Sequence, residues 1–394
     1  MKASGLRTVA ISLLVGLATL PDGMVPIALN AAVVERWGVS LQTAHWFTAA
    51  ALLGAVALFP LLGPIQRRWK AGASIAWASL INAILLILLA CPIPFWLAMI
   101  LRIGTGGMDM VTLAILLGLL EGGDRTRSGR RYGPATLAIM LGLAMGFTAG
   151  GILSQFMQAG IFLVGASFSI LLAVAAGCSG GLIRDEAMEL DSPTGGVRYW
   201  PTLLFSFSDR ALSAVVTVSV TLYLVKEIAV KETLVGPSMS MILLIIALGA
   251  WPAGILADRI GPLPVRIVAV IGYSAGFAML AAAPWVPIWV IVLSLGIMGI
   301  FGSGLAPSMY ILASSRGRGA IDMGGIHAAG NAGYLSGLLG AGGLLAISDG
   351  MSTISAYQII FLIFTTMYLL LNLPAIAAMA GWRVHRPVSD TRST

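Results

Sequence analysis

Five charged residues, Asp22, Arg102, Asp109, Asp209 and Arg210, stand inside long apolar runs of this 394-residue chain. A charge at the centre of a bilayer costs about 2.5–3.5 kcal/mol on insertion scales, so such residues pair, bind something polar or carry protons. A carboxyl that takes up and releases a proton beside a permanently charged guanidinium is a simple device for coupling solute movement to a proton gradient. Thr19, Pro26 and Asn30 follow the helical spacing of Asp22 and share its face, and Pro21 and Pro26 bracket it. Asp22 therefore reads as a proton or substrate site on a broken, cavity-lining helix; the alternative is a buried carboxylate paired with an arginine or a helix end. Arg102 and Asp109 lie on one stripe with Thr105 and Thr112. Two helical turns, roughly 10–11 Å of rise, separate them, so each must find its partners on other helices. Asp209 shares a face with Ser206, Ser213 and Thr217 and reads either as a second acidic site or as a gate pairing across the molecule. Arg210 could reach lipid headgroups along its apolar stem or serve as a cavity cation. Asn331, Tyr334 and Tyr310 are further cavity-lining candidates, and His327 reads as a capping or interface residue.

The elements that must position these residues follow from composition. The chain is 58% hydrophobic and 10% charged, against about 25% charged in soluble domains. Polar breaks delimit twelve apolar segments, roughly 8–34, 43–65, 71–93, 95–120, 133–157, 159–183, 200–225, 234–257, 263–284, 286–313, 325–347 and 354–380. Most are long enough to cross a ~30 Å hydrocarbon layer as helices. With both ends in the cytoplasm, eighteen lysines and arginines fall on the cytoplasmic side, Arg67, Arg68, Arg259 and Arg266 among them. Only Arg36, Lys226 and Lys231 fall opposite. That asymmetry follows the positive-inside rule, so the net charge of +7 reads as topology and not as a nucleic-acid surface. The first segment is too long for a cleaved signal peptide and carries Asp22.

Residues 184–199, with acidic residues, Pro193 and Gly195-Gly196, read as a cytoplasmic linker between a bundle at 1–183 and a second at 200–394. The halves echo one another. Asp22 precedes Gly63 much as Asp209 precedes Gly254, and the glycines at 142, 146, 150 and 151 have a counterpart in the run from Gly330 to Gly343. Internal repeats of this kind build a site between two rocking bundles.

Three motifs in register then resemble the major facilitator superfamily over nearly the whole chain. Gly254-x-Leu256-Ala257-Asp258-Arg259-x-Gly261 is similar to the family's loop motif between the second and third helices of a half. Arg102-x3-Gly106-Gly107 is similar to its fourth-helix arginine motif. Gly142-x3-Gly146-Phe147-x2-Gly150-Gly151 resembles the fifth-helix motif of proton-driven exporters. The resemblance implies an all-α membrane protein of twelve helices in two pseudo-symmetric six-helix bundles. It implies that Arg102 tunes a nearby acid, and that the loop carboxylate caps a neighbouring helix N-terminus to hold the outward-facing state. Two positions depart from the family pattern. The first-half loop has Arg67 in place of the acidic residue, and an arginine cannot cap a helix N-terminus, which shifts that role to Asp258. Phe147 stands where proline is expected, removing a kink.

The resulting expectation is a monomeric secondary transporter of the plasma membrane, driven by the proton gradient without a bound cofactor or metal and exporting a small organic or amphipathic solute. Asp22 and Asp109 would carry the proton, and the Gly142–Gly151 stretch would seal one state by packing between halves. The alternatives are a proton-coupled importer of a small organic anion, sugar or siderophore, and a non-transporting sensor or cofactor-delivery module. No Gly-x4-Gly-Lys phosphate loop, His-Glu-x2-His pair or cysteine cluster occurs in the sequence, which argues against nucleotide hydrolysis and metalloenzyme chemistry.

Overall fold

The computed structural model describes residues 3–121, 127–157, 159–178, 199–220, 223, 232–315, 318–347 and 353–380. These residues are almost wholly helical. In chain order the helices are α1 (Ala3–Ile27), α2 (Leu41–Leu58), α3 (Leu62–Arg68), α4 (Ala71–Ala90), α5 (Phe95–Gly118), α6 (Gly129–Phe156) and α7 (Gly160–Cys178). There follow α8 (Trp200–Val215), α9 (Glu232–Ile260), α10 (Pro262–Met279), α11 (Ile288–Gly302), α12 (Leu305–Ser314), α13 (Ala320–Ile347) and α14 (Thr353–Ala380). Where the expected segments fall on described residues they are helical over most of their length, and the described residues include ten spans long and apolar enough to cross a membrane. Those at 200–220 and 320–347 fall outside that set; they carry Asp209, Arg210 and a dense run of glycines. The linker expected at 184–199 lies outside the described residues except for Tyr199.

The helices are inside-out relative to a soluble protein. On α4 the buried face carries Ser74, Ser79 and Asn82, whereas Trp77, Ile81, Ile84 and Leu88 are exposed. That is the arrangement lipid demands: small and polar side chains pack between helices while large apolar ones face the hydrocarbon. Local signals set the ends. Ser40 accepts a hydrogen bond from the Thr43 amide at 3.1 Å to start α2. Pro262 occupies the first turn of α10, where its missing N–H costs nothing. Between α9 and α10, Gly261 adopts φ 97°, a conformation that a side chain would strain. The equivalent residue in the first half, Lys70, is extended at φ −64°, so the two loop copies turn differently.

Two of the expected segments are interrupted in the same way. The first runs as α1 and then loosens into a π-helical turn at Asn30–Glu35, and the seventh runs as α8 into a π-helical turn at Val216–Val220. The pairing of helices repeats as well. α1 packs on α6 as α8 packs on α13, and α4 packs on α7 as α10 packs on α14.

The apolar core shows how the halves meet. One cluster draws residues from both: Val15, Leu116 and Tyr132 from the first, and Met309, Ala320 and Met323 from the second. Two other clusters stay within one half each, one around Phe47 and Phe162, the other around Phe277 and Phe361. The shared cluster uses the start of α1, the end of α5 and the starts of α6 and α13, all at one end of the bundle. There the halves pack on each other, and a cavity borders this cluster between them.

Candidate functional site

The cavity has a volume of about 300 Å³ and takes its walls from both halves. Asp22 and Thr19 project from α1, Arg102 and Asp109 from α5, and Phe147 from α6. Asp209 and Arg210 come from α8, Tyr310 from α12, and His327, Asn331 and Tyr334 from α13. Most of the remaining wall is apolar, including Leu143, Met239, Ile242 and Met309. Residues more than 300 positions apart, Thr19 and Tyr334 among them, thus line one cavity. The side chain of Asn30 lies outside the described part of the structure.

In the first half, Asp22 and Asp109 bring their carboxyl groups within side-chain hydrogen-bonding range of each other, and both face Arg102. The seven-residue spacing on α5 does keep Arg102 and Asp109 from pairing directly along the helix. Asp109 instead accepts a hydrogen bond from Asn82 Nδ2 of α4 at 2.7 Å. Arg102, 5% exposed, donates from Nη1 to Thr105 Oγ1 at 3.1 Å and lies 5.7 Å from the centre of the Phe47 ring. Three charges of two signs therefore sit together: both carboxyls are partly open to the cavity, and the guanidinium is buried behind them.

In the second half, Asp209 is differently placed. Arg266 of α10 donates to both of its carboxylate oxygens at 2.7 Å, a bidentate pair of the strong kind. Tyr368 of α14 donates to the same carboxylate at 2.8 Å. The Arg266 side chain is 0% exposed, lies 4.3 Å from the Phe205 ring centre and also donates to Asn372 Oδ1 at 2.8 Å. This corrects two expectations. Arg266 is no cytoplasmic surface charge; it lies one turn inside α10, where Pro262 and Pro264 start the helix early. Asp209 does not pair across the molecule: among the described residues its hydrogen-bond partners, Arg266 and Tyr368, belong to its own half. The two aspartates sit at matching registers, eight and seven residues before their π-helical turns, so partner rather than depth distinguishes them.

Sequence reasoning missed Asn82, Arg266, Tyr368 and Asn372. Tyr368 and Asn372 did carry a signal, polar groups one turn apart in an otherwise apolar helix. Arg210, expected to reach headgroups or to face the cavity, faces the cavity, as does His327, which had read as a cap or interface residue.

At the closed end, Asp258 of α9 accepts hydrogen bonds from the backbone amides of Gly129 at 2.6 Å and Arg130 at 3.0 Å. It caps α6 of the other half, satisfying amides that a helix N-terminus leaves unpaired. Gly129 and Gly254 meet backbone to backbone at this crossing. Arg259 and Arg67, the latter standing at the equivalent first-half position, are exposed. The Gly142–Gly151 stretch does not pack between halves. Gly142, Gly146 and Gly150 face the backbone of α1 at Gly16, Leu20 and Met24 in the same half; the inter-half contact of α6 uses Gly129 and Gly133 instead.

Two helical bundles enclosing a central cavity with charged and polar groups on its wall define the class: a multi-pass membrane protein with a transporter fold. Residues 200–394 match the profile of the Major Facilitator Superfamily, and the chain as a whole shares the fold of solved structures of that class. The chain is similar to the MFS proton:xylose symporter XylE bound to 6-bromo-6-deoxy-D-glucose, with a TM-score of 0.70, 14% identity, and 97% of this chain and 98% of that one covered. It is similar to a bacterial homologue of the iron transporter ferroportin in the outward-facing state (TM-score 0.68, 15% identity, 96% and 100% covered). It is also similar to the human organic anion transporter MFSD10 (TM-score 0.69, 14% identity, 93% and 99% covered). No curated protein matches the chain in sequence.

Proposed function

We propose that this chain is a proton-coupled secondary active transporter of the plasma membrane that exports a small organic or amphipathic solute by alternating access. The observation that carries the reading is the Asp22–Asp109 carboxyl pair on the cavity wall beside Arg102. With both carboxyls ionised the three side chains carry one net negative charge; with one proton they are neutral. A cavity that changes charge by one unit as it takes up a proton changes its affinity for a polar solute and its readiness to close, which is what coupling requires. Arg102 is the counter-charge that both carboxyls share, and Asn82 donates to Asp109. The end where Asp258 caps α6 is the one that the basic residues assign to the cytoplasm, which supports a cytoplasmic closure in the transport cycle. Efflux is the direction that the resemblance of the fifth-helix glycine motif supports.

A second reading, proton-coupled uptake of a small organic anion, is favoured by one observation: Arg210 faces the cavity without an ion-pair partner among the described residues. Everted membrane vesicles with an imposed pH gradient separate the two. A solute first identified by its stabilisation of the purified protein should accumulate inside everted vesicles for efflux, and be excluded for uptake. Replacing Asp22 or Asp109 by asparagine should abolish the dependence on the gradient in either direction. Gradient-driven flux that survives both substitutions overturns the proton site.

A further inference from the structure

We propose that the solute is an organic monoanion with an apolar body, and that Arg210 binds its anionic group. The inference rests on the reading of this cavity as the transport site and is indifferent to the direction of transport. It starts from an account of the cavity charges. Asp209 is fully engaged by Arg266 and Tyr368. Arg102 lies among Asp22 and Asp109, and Asp22 interacts more strongly with Arg102 than with Arg210. Arg210 is what remains: a guanidinium on the cavity wall, partly exposed, with no hydrogen bond or ion pair to a described residue.

A cation held in a low-dielectric cavity without a partner is costly unless something supplies one. A headgroup does not, because the side chain lines the cavity between the halves. Its position is also built. Gly330 of α13 lies against Ser206 Oγ and the stem of Arg210, where a side chain would press on both. Tyr310, His327 and Tyr334 all fall within its electrostatic reach, and they bring hydroxyl and imidazole groups to the same wall. A planar fork of donors next to hydroxyls is suited to a carboxylate or similar oxyanion. One spare cation fits one negative charge. The apolar remainder of the wall, with Met239, Ile242 and Met309, fits an apolar body.

The test is a binding panel on the purified full-length protein. Benzoate, phenylacetate and 1-naphthoate would be compared with their neutral amides and with benzylamine, by thermal shift and by titration calorimetry at fixed salt. The acids are expected to stabilise the protein and the amides and benzylamine not. Arg210→Gln should weaken binding of the acids roughly ten- to a hundredfold, the cost of a lost charge-assisted hydrogen bond, and Arg210→Lys should restore part of it. Gly330→Ala, which presses on the arginine stem and Ser206 Oγ with the least added bulk, should weaken acid binding less than Arg210→Gln does. Stabilisation by the amides or benzylamine as strong as by the acids, stabilisation by no member of the panel, or acid binding unchanged in Arg210→Gln overturns the proposal. If the acids bind through Arg210 but a pH gradient drives no flux of them, the anion site stands and the proton-coupled transport reading fails.

Discussion

At the scale of single residues, two aspartates at matching positions in the two halves do different work because of what faces them. Asp209 meets a buried arginine, a tyrosine hydroxyl and, through Arg266, Asn372, so its charge is permanently compensated and it holds α8, α10 and α14 together. Asp22 meets another carboxyl and shares one arginine with it, so its charge is conditional. Removing one partner of a buried ion pair costs about 3–5 kcal/mol. Arg266→Met should therefore lower the thermal stability of the purified protein by a large margin, and the double variant Arg266→Met with Asp209→Asn should recover part of it. Asp22→Asn should leave stability nearly unchanged or raised, measured in the same unfolding experiment; equal destabilisation by Asp22→Asn and Arg266→Met would contradict the division of roles. The sequence displayed the candidate charges because charge inside an apolar run is conspicuous. It hid their pairing, because Arg266 sits 57 positions from Asp209 and five residues into a helix, indistinguishable from a flanking loop charge until the helix packs.

At the scale of elements, small residues decide how closely helices approach. A side chain at Gly146 would strike the backbone of α1 at Leu20 and Gly23, and one at Gly333 would strike α8 at Phe207. These contacts lie within a half and keep the aspartate-bearing helices in place. Gly146→Leu and Gly333→Leu should both reduce the folded yield sharply, read by size-exclusion profile after solubilisation. Gly133→Leu, at the crossing of α6 with Trp251 of α9, should leave the yield and instead disfavour the closed end. The glycine stripes were plain in the sequence as spacing. Which neighbour each stripe faces was not, because a stripe on one side of a helix says nothing about whether the helix across from it belongs to the same half. The exporter-like motif was thus placed at the wrong interface.

At the scale of the whole molecule, the fold was legible in outline: apolar length, basic asymmetry and a repeated charged turn lead to an all-helical membrane architecture, with ten apolar spans among the described residues. The repeat also foretold its own asymmetry. Asp258 caps α6 across the interface, while Arg67 is exposed and the first-half turn lacks the positive-φ glycine. A capping carboxylate contributes about 0.5–2 kcal/mol, enough to change a two-state ratio roughly two- to thirtyfold. Spin labels at Trp69→Cys and Ile260→Cys, with Cys91 and Cys178 replaced by serine, should report longer distances across the closed end in Asp258→Asn. Arg67→Gln should leave them unchanged; equal shifts in both would place the lock elsewhere. What the turn cannot carry is the coupling itself, which the account assigns to the carboxyl pair in the cavity. The most direct test needs no substrate: infrared difference spectroscopy of the purified protein across a pH step. The account predicts a carboxyl-protonation band that is present in the wild type and in Asp209→Asn and is lost in both Asp22→Asn and Asp109→Asn. A band that persists in those two variants, or that disappears only with Asp209, would contradict it.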